Sequence, residues 1–573
     1  MLSEKELLAY ACDRFEEENF EEALEAFVLA YTKGYEQEWI LTNIYNCYLE
    51  GNQKEFRNTY QNLACDTEIS YEECLLDFIP YRDGEYYIFD KEIKMFRGVF
   101  SVHELENTTV NNAFQDMEFS SAALVFDWNW DELKDVLAGA KDRKMYVVCQ
   151  DMKRGCSFFK IPELEKYLKN VKIFPDYRKF QEFFHNNTAV YLPHIFFGYE
   201  ETTKYLSDIV EQEHQYRLTP QGRNYDNILL TIGIPTCNRG NLLLKRIEML
   251  RKMPYDAEIE IAISKNGTEY YQSEYEEASR IPDARITYYG YNRTLKIVEN
   301  WHHVVEMAHG KYVLFVSDED DVIQDALEHY LNVLDNNPQL GLVRATSVMQ
   351  NPNLENRYAK KGIEAFKLMF LSQNYLSSLI VRKKDFIEEN LLRLKEYEDN
   401  VFYKTYPHEW WCALLTRRGD AMTDSVTLIS EGDSVLQEET KAAREAGTLK
   451  EDQGIVEGED IPVYATYQAR LEQFQGYVEF IHIMLQENME DVTAGLEHAI
   501  RKTAYLLLIA RHFEYKCENY EGMMGRFCKI AMGAIEEFPL EDEQKIYLLN
   551  ILERCCLYAL QEPEKWNTET DGV

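Results

Sequence analysis

Four consecutive acidic residues follow a strongly apolar stretch in the segment KYVLFVSDEDDV. The apolar part predicts a buried strand, and Asp318, Glu319, Asp320 and Asp321 come directly after it. Carboxylate oxygens are the ligands that hard divalent cations prefer, and Mg²⁺ or Mn²⁺ bound by one or two of them keeps positions open for a diphosphate. The segment therefore indicates a Mn²⁺ or Mg²⁺ site, although an acidic loop after a strand is more often only a solvated turn.

Three further polar segments precede the acidic one, and each follows or precedes a predicted element of secondary structure. They are IPTCNR, AISKNGT and YNRTLKIVENW, and their candidate residues are Pro235, Thr236, Asn238, Arg239, Lys265, Asn266, Asn292 and Asn300. Ordinary turn and helix-capping roles would explain Thr236 and Asn238 equally well. The order of the segments, rather than any one of them, points to a binding site.

Strands and helices alternate strongly between residues 225 and 440, from ILLTIGIP through EIEIAIS, RITYYG and KYVLFVS to GLVRAT. This alternation predicts an α/β domain with a mostly parallel sheet and right-handed crossovers. Ligands of such sheets bind beyond the carboxyl ends of the strands. The polar segments are therefore expected to meet at one edge of the sheet.

In this order and context, the four segments resemble the motifs of family 2 glycosyltransferases with the GT-A fold, of the type found in bacterial surface-polysaccharide assembly. The resemblance runs from about Tyr225 to Gln437. It implies a metal-dependent enzyme that transfers a sugar from a nucleoside-diphosphate donor, UDP- or CDP-linked. The acceptor would be a hydroxyl of a glycan or a lipid-linked glycan, and the anomeric centre would be inverted.

The resemblance also implies roles for individual residues. The expected nucleotide-sugar-binding residues are Pro235, Thr236, Arg239, Lys265, Asn266, Asn292 and Asp318. Asp318 would meet the ribose and share the metal with Asp320, the principal ligand, and Asp321 would support them. On the acceptor side, NYLSSLIVRKKDF offers Ser377 and Ser378.

The general base is expected in YPHEWWCALL, where family members often carry a short acidic motif at the start of a helix. Glu409 is the first candidate and His408 the second. His408 departs from the acidic pattern, and packing at the start of the helix would explain it without any catalytic role.

Lys265 stands where many relatives have aspartate. An aspartate there can accept the N3 hydrogen of uracil, whereas a lysine ammonium has donors and no acceptor, which suits N3 and O2 of cytosine. The alternative is that Lys265 faces solvent or pairs with a nearby acid, while backbone groups and Asn266 contact the base.

Three other segments flank this domain. Residues 1–74 are predicted to be helical, and Ala23, Phe27 and Ala30 resemble the second helix of one tetratricopeptide repeat. Residues 75–224 form a small α/β module, with strands AALVFDW and MYVVCQ and a docking or packing role. Residues 441–573 are predicted to form a helical C-terminal domain, with helices from about Val463 that follow a polar loop over 438–460. The helical ends could bind a protein partner.

The composition excludes some classes of partner. With 61 basic and 100 acidic residues the net charge is -39, which disfavours nucleic acid. No apolar run reaches membrane-spanning length and no leader pattern is present, so a cytoplasmic protein is expected, with a peripheral position at the inner face of a membrane also compatible. The 12 cysteines lack CxxC spacing and are expected to be reduced thiols.

Two other functions fit parts of this pattern. A catalytically inactive, transferase-like scaffold that binds partners in polysaccharide assembly would account for the departures at Lys265 and His408. A nucleotidyltransferase would also combine an α/β sheet with acidic metal ligands. It would normally carry a glycine-rich phosphate loop near the first strand, and GIPTCNRGN is not one.

Overall fold

The computed structural model describes residues 2–64, 67–107, 119–139, 143–267, 270–349, 352–372, 375–392, 397–432, 466–513 and 520–560. The chain divides into two compact units, Met1–Arg223 and Asn224–Val573. None of the helices within these described ranges is long and apolar enough to span a bilayer.

The first unit begins with four helices. They are α1 (Glu4–Glu16), α2 (Phe20–Thr32), α3 (Gln37–Ile44) and α4 (Gln53–Leu63). Ser3 starts α1 through a capping box, in which its hydroxyl accepts from the Glu6 amide and the Glu6 side chain accepts from the Ser3 amide. Ala23, Phe27 and Ala30 are buried, as their helical spacing predicts.

The rest of this unit contains two sheets. An antiparallel meander that the sequence did not predict consists of β1 (Leu76–Arg82), β2 (Glu85–Asp90) and β3 (Met95–Ser101). A parallel sheet of order β6-β5-β4-β7 is built from β4 (Ala122–Phe126), β5 (Met145–Cys149), β6 (Val171–Phe174) and β7 (Ile195–Phe197). The helices are α5 (Glu104–Asn107), α6 (Trp130–Gly139), α7 (Met152–Gly155), α8 (Glu165–Leu168), α9 (Tyr177–Asn186) and α10 (Glu200–Arg217).

The second unit is built on one mixed sheet. Its strands are β8 (Leu230–Cys237), β9 (Ile259–Asn266), β10 (Ile286–Gly290), β11 (Tyr312–Phe315), β12 (Asp321–Val322), β13 (Leu340–Ser347), β14 (Arg357–Ala359), β15 (Leu379–Arg382) and β16 (Asp420–Ser430). The order is β10-β9-β8-β11-β15-β13-β16-β12, and β14 pairs with β16. The first four strands are parallel, as predicted, whereas β15 is antiparallel to both β11 and β13.

Helices alternate with these strands along the chain. They are α11 (Gly240–Arg251), α12 (Gln272–Ser279), α13 (Ile297–Met307), α14 (Gln324–Asn336), α15 (Ile363–Met369), α16 (Lys383–Glu388), α17 (Val401–Thr405) and α18 (Pro407–Leu415). The approach of α13 to β8 depends on Gly233, because a Cβ there would lie 2.2 Å from Val304 Cγ1. This close packing brings the start of α13 to the carboxyl ends of β8 and β9.

Four C-terminal helices complete the unit. They are α19 (Tyr467–Phe480), α20 (Met489–Phe513), α21 (Tyr520–Glu537) and α22 (Asp542–Leu560). Their buried side chains belong to the same apolar core as α15, α17 and α18, with Phe480 packed 4.6 Å from Trp410 between ring centroids. The predicted loop over 438–460, and with it the predicted domain boundary at 440, lies outside the described residues.

Candidate functional site

The carboxyl ends of β8 and β11 meet at Asp318. Its Oδ2 accepts a hydrogen bond from Thr236 Oγ1 at 2.7 Å, and its Oδ1 accepts from Arg239 Nη1 at 3.1 Å. The Tyr275 hydroxyl lies 2.7 Å from Thr236 Oγ1 and accepts from the Arg239 amide at 2.8 Å. Burial raises the pKa of Asp318 and outweighs the lowering effect of Arg239.

Asp320 lies two residues further along and is held differently. Its Oδ2 accepts from Ser377 Oγ at 2.5 Å and from the Tyr375 hydroxyl. Its Oδ1 is buried and accepts no hydrogen bond. Burial raises the pKa of Asp320, while the hydrogen bonds from Ser377 and Tyr375 lower it. Of these two aspartates, only Asp320 therefore keeps a carboxylate oxygen for a ligand.

The acidic loop is anchored from its other side by α11. Arg246 donates to the Glu319 carbonyl oxygen at 2.7 Å and forms an ion pair with Asp321. The Glu319 carboxylate accepts from Arg239 at 2.9 Å. These contacts hold Glu319 and Asp321, the two neighbours of Asp320 in the chain. They therefore fix the backbone that carries Asp320.

The end of β9 is shaped by its own backbone contacts. Asn266 is buried. Its side-chain Nδ2 donates to the Leu295 carbonyl oxygen, and its side-chain Oδ1 accepts from the Leu295 backbone amide. Gly267 has a φ of +82°, and a Cβ there would meet Asn238 Oδ1 at 2.4 Å, so the site requires glycine. Asn266 thus joins β9 to the segment before α13.

Lys265 points into the protein. It is 8% exposed, its Nζ donates to Gln272 Oε1 at 2.9 Å, and it lies 5.4 Å from the centre of the Tyr275 ring. Desolvation lowers the pKa of its ammonium group. Within the part of the chain that the structure describes, Lys265 thus donates to the side-chain amide oxygen of Gln272 and not to a carboxylate.

Glu409 lies at the start of α18 and is completely buried. Its Oε1 accepts from Arg344 Nη2 at 2.7 Å, and the Arg344 side chain is 1% exposed. Arg344 on β13 is the register partner of Leu379 on β15. Leu379 lies two residues after Ser377 in the chain. His408 is also buried, and its ring centre lies 6.1 Å from that of Trp301 on α13.

Residues 231–419 match the model of glycosyl transferase family 2. This segment is a family 2 glycosyltransferase domain. The predicted fold is confirmed, namely a GT-A-like α/β transferase domain flanked by helical regions and a second α/β sheet. The predicted enzyme class, a glycosyltransferase, is confirmed by the same match.

Two solved structures show a distant likeness to the chain. S. aureus TarS 1-349 in complex with UDP-GlcNAc has 12% identity and a TM-score of 0.36, covering 58% of this chain and 91% of that one. The mannosyltransferase PcManGT from Pyrobaculum calidifontis, in complex with GDP-Man and Mn²⁺, has 13% identity and a TM-score of 0.30, covering 59% and 88%. No curated protein matches the chain. The identification of the transferase domain rests on the family match.

The structure brings several predicted residues of the transferase domain together and separates others. Thr236, Arg239 and Asp318 form one hydrogen-bonded group, next to Asp320. Ser377 binds Asp320 and the Ser317 amide, and Ser378 is fully buried with a φ of 82°. Asn292 is exposed and Pro235 partly buried at the same edge. The ligand contacts of all these residues stay predictions.

Three side chains that organise the transferase site were not predicted. Tyr275 contacts Thr236 and Arg239, Tyr375 donates to Asp320, and Arg246 holds the acidic loop. Arg246 could have been noticed as a basic residue within the apolar pattern of α11. Tyr375 lies two residues before Ser377 in the segment NYLSSLIVRKKDF, and its contact with Asp320 was not expected there. Tyr275 does not follow from local spacing, because it reaches the site from α12, outside the four motif segments.

The donor set fits a divalent cation that is shared with a diphosphate. In the part of the chain that the structure describes, no three His, Cys, Asp or Glu side chains converge as a complete metal site. Asp320 Oδ1 is a buried oxygen that accepts no hydrogen bond. Mg²⁺ and related cations are often bound by one or two carboxylates, with phosphates and water supplying the other ligands. Asp320 therefore suits such a cation.

Proposed function

We propose that the chain transfers a sugar from a nucleoside-diphosphate donor to a hydroxyl of a glycan or lipid-linked acceptor, with inversion and with Mn²⁺ or Mg²⁺ as cofactor. One observation carries the proposal. Thr236, Arg239 and Asp318 form a single network at the carboxyl ends of parallel strands, beside Asp320, whose buried Oδ1 accepts no hydrogen bond. The family match supports sugar transfer as the reaction.

In this reaction the acceptor oxygen bonds to the anomeric carbon of the sugar as the bond to the diphosphate oxygen breaks. Negative charge then grows on the leaving diphosphate, and a cation bound there would stabilise it. Asp320 would hold the cation, while Thr236, Arg239 and Asp318 keep the loop after β8 in position. Glu409 is the proposed base that removes the acceptor proton. A single displacement inverts the anomeric centre.

The donor half of the proposal can be tested by thermal unfolding. Nucleoside diphosphates with Mn²⁺ are expected to raise the unfolding temperature, because a ligand that binds only the folded state at 100 times its Kd stabilises by about 2.7 kcal/mol. Mn²⁺ alone and the nucleotide alone should have smaller effects. Donor turnover is measured in parallel. Binding without any transfer or donor hydrolysis would favour the inactive scaffold, and absence of binding would contradict the proposal.

The nucleobase preference provides a separate prediction. Lys265 supplies donors and no acceptor at the end of β9, so CDP is expected to bind more tightly than UDP. Lys265→Met should weaken CDP binding by about 10–150-fold, since a hydrogen bond to a charged group contributes about 1.5–3 kcal/mol. Lys265→Asp should shift the preference towards UDP.

The affinities for CDP and UDP are measured by calorimetry with the wild type, Lys265→Met and Lys265→Asp. Lys265→Met is the matched control, because it keeps the length of the side chain and removes only the charged donor. A wild-type preference for UDP that neither substitution changes would exclude Lys265 as a base-reading residue and leave the transfer reaction itself untouched.

A further inference from the structure

Two cysteine side chains meet between the last two helices. Cys528 on α21 and Cys556 on α22 have their Sγ atoms 2.8 Å apart. Both are free thiols in this structure. A disulfide bond is about 2.05 Å long, so bond formation requires the sulfur atoms to approach by less than about 1 Å.

The surroundings give the two thiols different chemistry. Cys556 is 7% exposed, within the buried face of α22, whereas Cys528 is only partly buried. The hydrogen bond shared by the two thiols lowers the pKa of Cys528 to about 7 and raises the pKa of Cys556. Thiolates are the nucleophiles in thiol–disulfide exchange. Cys528 is therefore suited to attack first and Cys556 to follow.

We propose that Cys528 and Cys556 are a modification site that reacts with a low-molecular-weight disulfide and closes an internal disulfide between α21 and α22. This proposal is independent of the proposed transferase activity. The neighbouring Cys555 is partly buried, and burial raises the pKa of its thiol, so the same helix provides an internal comparison.

The reaction takes two balanced steps, written here with oxidised glutathione. The Cys528 thiolate attacks one glutathione sulfur, the glutathione disulfide bond breaks, and one glutathione thiolate leaves with the electron pair. Cys556 then loses its proton to solvent and attacks the Cys528 sulfur, which releases the second glutathione thiolate. The two protein thiols are oxidised, and one glutathione disulfide is reduced to two thiols.

The test is mass spectrometry of the full-length protein after incubation with excess oxidised glutathione. The wild type and Cys555→Ser should yield unreduced peptides that link Cys528 to Cys556, with a loss of two hydrogen atoms at that pair. Cys556→Ser should stop at a glutathione adduct on Cys528. Cys528→Ser should give no link involving Cys556. Dithiothreitol should restore the starting mass in every case.

Thermal unfolding of the reduced proteins shows that each variant is folded, and Cys556→Ala replaces Cys556→Ser if the serine is not tolerated. The linked wild type should unfold at a higher temperature than the reduced wild type, because the disulfide restricts the unfolded chain. A lasting glutathione adduct on wild-type Cys528, a link from Cys528 to Cys555, or no reaction at Cys528 would each overturn the proposal.

Discussion

Replacing Asp320 by asparagine is expected to lower the rate of sugar transfer by two to three orders of magnitude, about 10²–10³-fold, while leaving the thermal unfolding of the protein close to that of the wild type. The amide keeps the size of the side chain and one oxygen that can accept from Tyr375 and Ser377. It removes the anionic oxygen that accepts no hydrogen bond within the protein. Removing a group that stabilises transition-state charge lowers kcat by about 10²–10³-fold.

The measurement is donor turnover as Mn²⁺ is titrated, with calorimetry of the nucleotide in parallel. Asp321→Asn is the matched control, because the adjacent carboxylate is paired with Arg246 and 30% exposed. Asp321→Asn should reduce stability more than Asp320→Asn does, and retain transfer. Wild-type turnover by Asp320→Asn in the presence of a metal chelator would contradict the role of Asp320.

Much of the transferase fold could be predicted because its signals are local. The strand ending in Phe315 and the helix at Ile297–Met307 are apolar patterns with clear periods, and both are present. The antiparallel insertion of β15 was not predicted, because strand direction depends on the path of the chain between distant segments. The meander of β1–β3 was missed for another reason: β3 does not separate buried from exposed positions by polarity, because its Met95 and Val99 are exposed while Phe100 is buried.

The candidate site was predictable in its position and less so in its contacts. The acidic run after a strand placed Asp318 and Asp320 at the carboxyl edge of the sheet. The sequence could not show that Thr236 and Arg239 occupy both oxygens of Asp318, because these partners come from β8 and the turn that follows it. It also could not show that Asn266 is engaged by Leu295, or that Arg344 faces Glu409.

Glu409→Gln is expected to lower turnover by about 10²–10⁴-fold, the usual contribution of a general base, with little change in nucleotide affinity. The substitution has a second consequence, because Arg344 would be left as an unpaired charge in the core. Removing one partner of a buried ion pair typically destabilises by about 3–5 kcal/mol. Loss of activity alone therefore does not separate a catalytic role of Glu409 from a structural one.

The double variant Glu409→Gln/Arg344→Met separates the two roles. It removes the unpaired charge, so its unfolding temperature should recover towards that of the wild type, as expected when both members of a buried pair are replaced. Turnover should stay low if Glu409 accepts the acceptor proton, and should recover with stability if the pair is only structural. Arg344→Met alone is needed as a reference, because Arg344 also donates to the Met369 carbonyl at 3.4 Å and to Cys412 Sγ at 3.3 Å. Recovered turnover in the double variant, together with a loss in His408→Ala, would move the assignment of the base to His408.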